Sequence, residues 1–128
     1  TCELAQQVAD EARALDSSLE VCCAHDGVPR ADQAAALRAG ADLLVGTPGR
    51  VRDLAVRGDA PWAASARVLV LDEADRLLDL GFEEDLRAIV GATQPSRQTL
   101  LLSATWPSQV AFLAAALTRD PVTVEAGA

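Results

Sequence analysis

The chain has 128 residues, half of them apolar and only 3% aromatic, so it has the length for one domain, or part of one, with an aliphatic core, and it is too apolar for a disordered segment. A formal net charge of -8 argues against a broad cationic nucleic-acid surface, while leaving room for local contacts from a few Arg and backbone N–H groups. No apolar run approaches the ~20 residues of a membrane span, and no signal-peptide pattern opens the chain.

Leu4, Val8, Ala12 and Leu15 recur at helical spacing, so residues 3–15 predict an amphipathic helix. Leu19, Val21 and Cys23 alternate as in a short strand ending near Ala24. His25, Asp26 and Gly27 read as a turn, and 31–40 as a helix stopped by Gly40. Residues 42–46 form a second short strand. Thr47 and Pro48 then read as N-cap and first residue of a helix that carries Val51, Leu54 and Ala55 inward and ends at Gly58. A loop with Pro61 and Trp62 leads to Val68–Leu71, an uninterrupted apolar run that predicts a central strand buried on both faces. Helical residues follow to Leu80, with a break at Gly81 and a second helical run carrying Phe82, Leu86, Ile89 and Val90. A loop over 93–97 leads to a strand over 98–102, Pro107 opens a last helix through Thr118, and Pro121 precedes Val122 to Val124. Strands alternate with helices throughout, the pattern of an α/β fold with a parallel sheet flanked by helices on both faces.

Three strand ends carry candidate chemistry. Asp72 and Glu73 end the central strand, at the edge where open α/β sheets place ligands. In a functional reading, Asp72 holds Mg²⁺ through water and Glu73 orients an attacking water; in the plain one, Asp72 and Asp75 cap and charge the next helix. Ser103, Ala104 and Thr105 end another strand, and their hydroxyls would reach Asp75 or Glu73 if the strands are neighbours. Taken alone, that tripeptide is more often a helix cap. Thr47, Pro48, Gly49 and Arg50 combine a hydroxyl cap, a fixed first turn, a glycine and a cation, a combination suited to an anion at a helix N-terminus, although taken alone it is more often an ordinary capped helix start. Cys2, Cys22 and Cys23 show no metal-ligand spacing and read as reduced thiols, buried or unreactive, of an intracellular protein, and His25 has no partner pattern.

Taken together, Thr47-Pro48-Gly49-Arg50, Asp72-Glu73-Ala74-Asp75 and Ser103-Ala104-Thr105, in this order and each at a strand end, resemble the DEAD-box family of ATP-dependent RNA helicases. Arg76-Leu77, Gly81-Phe82-Glu83, Arg97-Gln98-Thr99 and Thr105-Trp106-Pro107 resemble it too, so the likeness covers residues 1–128. The resemblance implies ATP and Mg²⁺ as cofactors, with Asp72 and Glu73 as the metal and water residues. It implies that Asp75, Ser103 and Thr105 couple hydrolysis to strand separation. Thr47, Gly49 and Arg50, with Gly27, would contact the RNA backbone with little sequence specificity.

Cys2 stands where the family has Arg, and Asp26 where it has the first glycine of a pair; both put the RNA surface in question. The chain has no Lys and no glycine-rich phosphate loop. It begins at Thr1 inside a helix start, so it is expected to be the later part of an incomplete first RecA-like domain, inactive towards ATP alone, prone to associate along an unpaired strand edge, and partnered by a second RecA-like domain of the parent protein. The alternatives are a divergent, non-catalytic RNA- or protein-binding relative, and a DNA translocase of the same superfamily.

Overall fold

The structure, a computed structural model, describes residues 1–57 and 62–127. Helix α1 (Cys2–Leu15) starts at Thr1, whose side-chain oxygen accepts the Leu4 N–H at 3.1 Å. Strand β1 (Val21–Ala24), helix α2 (Arg30–Ala39), strand β2 (Leu43–Gly46) and helix α3 (Pro48–Val56) follow in order. A four-residue helix α4 (Trp62–Ser65) stands where only a loop was expected. Then come β3 (Val68–Leu71), α5 (Ala74–Asp79), α6 (Glu83–Ala92), β4 (Gln98–Leu101) and α7 (Ser108–Leu117). Residues 122–124 have no regular structure, and the expected helix stop at Gly58 and the Pro61 part of the loop lie outside the described residues.

Every strand pairing among the described residues is parallel, β1 with β2 and β3 with β4, so they form two two-stranded sheets. Cys22 and Ala24 of β1 pack with Ala34 and Leu37 of α2 and Leu54 of α3 in one core cluster. Helix α1, absent from that cluster, lies across both β1 and β2 with Ala5 and Ala9 buried. A second cluster joins Leu71 of β3 to Leu86 of α6 and to Leu113 and Leu117 of α7. The two halves meet chiefly where α3 packs on α6, and there Arg52 Nη1 lies 2.8 Å from Asp85 Oδ1.

The parallel α/β reading holds, but β3 departs from the expected burial. Successive residues of a strand face opposite sides. Leu69 and Leu71 face the helices, whereas Val68 is 53% and Val70 55% exposed. Leu100, in register with Val70, and Leu102 are exposed too. Among the described residues, the run of four apolar residues therefore has a helical cover on one face only. Between α5 and α6 the break falls at Gly81, at φ 85°, where Gly81 N–H donates to Leu78 O and Phe82 N–H to Leu77 O. This paired closure needs the left-handed backbone that glycine adopts without steric cost.

Candidate functional site

The ends of β3 and β4 are stitched together beyond the regular ladder. Leu102 N–H donates to Leu71 O at 2.9 Å and Ala74 N–H to Leu102 O at 3.0 Å. Between them Glu73 takes a left-handed backbone, φ 53° and ψ 49°, uncommon for a residue with a side chain. That turn starts α5 at once, with Ala74 fully buried, and sets Asp75 beside residues 103–105. Asp75 Oδ2 accepts the Thr105 hydroxyl at 2.6 Å and the Thr105 N–H at 3.2 Å, while the Asp75 N–H donates to Ser103 Oγ at 3.2 Å. The hydroxyls of Ser103 and Thr105 thus serve Asp75 rather than the next helix, whose N-cap is Pro107.

The Thr105 hydroxyl, with the N–H groups of Arg76 and Thr105 adding to it, holds the Asp75 carboxyl below its ordinary value of 3.8. A depressed folded-state pKa contributes stability above the ordinary value, and that contribution is lost as pH falls through the folded-state one. The stability gap between the wild type and Asp75→Asn should therefore be full near neutrality and close on acidification below 3.8. Urea midpoints of both proteins across an acid series check this; a gap unchanged at the acid end contradicts it.

Asp72 is exposed, and one of its oxygens accepts the Glu73 N–H at 2.9 Å. The Glu73 carboxylate lies 3.9 Å from the Arg76 guanidinium. Mg²⁺ binds through one or two carboxylates together with water and substrate phosphates. A single exposed carboxylate with an open side fits such a hydrated ion. An all-protein cage does not fit, since no group of three ligating side chains stands together among the described residues.

At the other half, Thr47 is the N-cap of α3, but its side chain makes no capping hydrogen bond. A side chain at Gly49 would meet nothing within 4 Å, so internal packing does not require glycine there. Arg50 differs from its expected role as a free phosphate donor. Its Nη1 donates to Val28 O at 2.8 Å and to Gln33 Oε1 at 2.7 Å, and its Nη2 lies 3.6 Å from Asp26 Oδ1, leaving the side chain 15% exposed. The Gly27 N–H donates to His25 Nδ1 at 3.0 Å, so the lone histidine does have a local partner. Cys2 sits in the first turn of α1, half-buried.

The model for the DEAD/DEAH box helicase family matches residues 1–113. The chain belongs to this family. Relatives of this DEAD/DEAH box chain include the ATP-dependent RNA helicase DBP2 of Vanderwaltozyma polyspora, 43% identical, and the DEAD-box ATP-dependent RNA helicase 24 of Oryza sativa, 46% identical. Each alignment takes in 99% of this chain but only 29% and 17% of the respective relative, so the chain spans less than a third of their length. Among solved structures, a DEAD box protein from Methanococcus jannaschii superposes with a TM-score of 0.87 at 37% identity, over 94% of this chain and 33% of that one. A hypothetical ATP-dependent RNA helicase from Sulfolobus tokodaii gives 0.84 at 32% identity, over 94% and 36%. Both agree with a RecA-like α/β fold of which this chain holds a part.

Sequence reasoning missed two residues of this DEAD/DEAH box chain. Gln33 is 3% exposed on the core side of α2, and a polar residue in helical register with Ala34 and Leu37 was the available signal. A side chain at Gly46 would meet Ala24 O at 2.5 Å and Val51 Cγ2 at 2.6 Å; its place just before Thr47 was the only hint.

Proposed function

We propose that the chain supplies the metal-and-water half of an Mg²⁺-ATP site, and one RNA-facing edge, to an ATP-dependent RNA helicase that separates short duplexes. The observation that carries this reading is the 2.6 Å bond from Thr105 to Asp75, three residues beyond Asp72. It ties the carboxylate-bearing strand end to the hydroxyl-bearing one, so movement at either reaches the other. Bound Mg²⁺-ATP would supply the phosphoanhydride to be cleaved and the charge neutralisation that cleavage needs. Asp72 would hold the hydrated ion, and Glu73 would orient the attacking water and accept its proton. Phosphoryl transfer with a loose transition state depends on positioning more than on a strong base, which suits a carboxylate. The chain has no Lys to grip phosphate, and on its own it has only this half of the site.

Thr47, Gly49 and Gly27, with Arg50 beneath them, form the RNA edge, and its contacts go to phosphate and sugar. The open space at Gly49 supports close backbone approach by a ligand. Gly49→Ala separates fold from function there. The variant should gain up to ~1 kcal/mol as helix propensity improves. It should also lose about tenfold in affinity for single-stranded RNA in the protein as the cell makes it. Thermal melts and fluorescence anisotropy check both. A stabilised variant with unchanged RNA affinity would remove RNA from this edge.

The second reading, a non-catalytic binding module, is favoured by one observation: Arg50 already faces the Asp26 carboxylate where a phosphate would otherwise sit. Retained RNA-stimulated ATP hydrolysis decides against it.

A further inference from the structure

The turn between β1 and α2 is held by the side chain of Gln33, which lies outside the three motifs at the strand ends. Gln33 donates through Nε2 to His25 O at 2.9 Å and to Cys23 O at 3.3 Å. Its Oε1 accepts from Arg50 Nη1, which also donates to Val28 O. A guanidinium has only donors, and a carbonyl only accepts. The amide therefore satisfies both neighbours in this one orientation and would oppose both if flipped. Three carbonyls of the segment 23–28 are thus fastened to α3 through one amide and one guanidinium. The two edges proposed to meet RNA, at Gly27 and at Thr47 with Gly49, lie on the two elements so joined.

We propose that Gln33 is a positioning residue for RNA: it sets the distance between the 25–28 turn and the N-terminus of α3, so that both reach one backbone together. This rests on the RNA reading above, and it makes Arg50 a brace for the turn rather than a phosphate ligand. Two contacts presented at the wrong spacing bind almost as one, so loss of the brace weakens RNA binding without removing any contact residue.

The test uses the protein as the cell makes it, with a labelled single-stranded RNA oligonucleotide and a fluorescent ATP analogue as probes. Gln33→Met keeps the volume and removes the hydrogen bonds. Gln33→Glu keeps the acceptor for Arg50 and removes the donors to Cys23 and His25. Gln94→Met is the matched control, since it removes a comparable amide bond, to Ala66 O at 2.9 Å, far from the turn. Gln33→Met should raise the RNA Kd at least tenfold and leave the ATP Kd within about twofold. The slope of log Kd against log salt should stay at its wild-type value, because no charge that meets phosphate has been removed. Gln94→Met should move neither Kd.

A folded Gln33→Met with wild-type RNA affinity overturns the proposal. So does a parallel loss of ATP and RNA binding, which marks a merely structural role. If Gln33→Met does not fold, Gln33→Glu is read by the same two criteria. Failure of the RNA reading is separately visible, because then Thr47→Ala and Gly49→Ala also leave RNA affinity untouched, and this inference falls with it.

Discussion

Glu73→Gln, made in the protein as the cell makes it, should lower kcat for RNA-stimulated ATP hydrolysis by about 10²–10⁴ while ATP still binds, because the amide keeps the shape and loses the proton acceptor. Glu73→Gly should be as inactive, yet more stable. The wild-type residue sits at φ 53°, where a residue with a Cβ costs roughly 1–2 kcal/mol. Glycine removes that cost, and its own looser unfolded state offsets roughly 0.5–1 kcal/mol of the gain. A net stabilisation of about 0.5–1 kcal/mol remains. Glu73→Gln keeps the strained backbone and should melt like the wild type. Single-turnover ATP cleavage and urea unfolding of the three proteins check both halves. Wild-type turnover in Glu73→Gln would remove Glu73 from the chemistry. A Gly variant less stable than Gln would show that the left-handed turn is held without strain. The pairing of the two effects matters: a strained backbone persists where the surrounding structure over-determines it, and here the hydrogen bond from Ala74 N–H to Leu102 O and the buried Ala74 side chain do so.

Much of this was legible because it rests on periodicity and punctuation. The order of strands and helices follows from apolar spacing, and Gly81 and Pro48 mark the ends they were expected to mark. The contact of Asp75 with Ser103 and Thr105 was foreseeable once both were placed at ends of strands that could be neighbours. Burial on both faces of β3 was not obtained, because an apolar run records the composition of a strand and not what covers it; Val68 and Val70 remain exposed. Helix α4 has four residues, too few to show a period. The inward turn of Arg50 was hidden for a different reason. A sequence displays a cation but not its partners, and here those are Asp26, Val28 and Gln33, 17 to 24 positions earlier and brought near only by the pairing of β1 with β2. Gly46 was hidden too, since the requirement for glycine comes from the facing strand and from a helix later in the chain.

Gly46→Ala should therefore be among the most damaging single-methyl changes in the molecule. The added Cβ would lie 2.5 Å from Ala24 O and 2.6 Å from Val51 Cγ2. The first neighbour is backbone in a parallel pair and cannot swing away. The second is a half-buried β-branched side chain packed against the core cluster of Leu54 and Ala34. Relief means parting β2 from β1 or lifting α3, and overpacking of this kind costs typically about 1–3 kcal/mol. The loss should reach the RNA edge as well. Thr47 N–H donates to Ala24 O at 3.0 Å, the same oxygen that the new methyl would crowd. Adding Val51→Ala should recover only the part of the cost due to Val51, so the double variant should be more stable than the sum of the single changes predicts, yet below Val51→Ala alone. Chemical denaturation of the four proteins in this cycle, with RNA anisotropy on those that fold, reads both effects. If Gly46→Ala is as stable as the wild type, β1 and β2 do not approach as closely as these distances state. If it is destabilised but binds RNA with unchanged affinity once folded, then Thr47 does not take its place at the RNA edge from this strand pair.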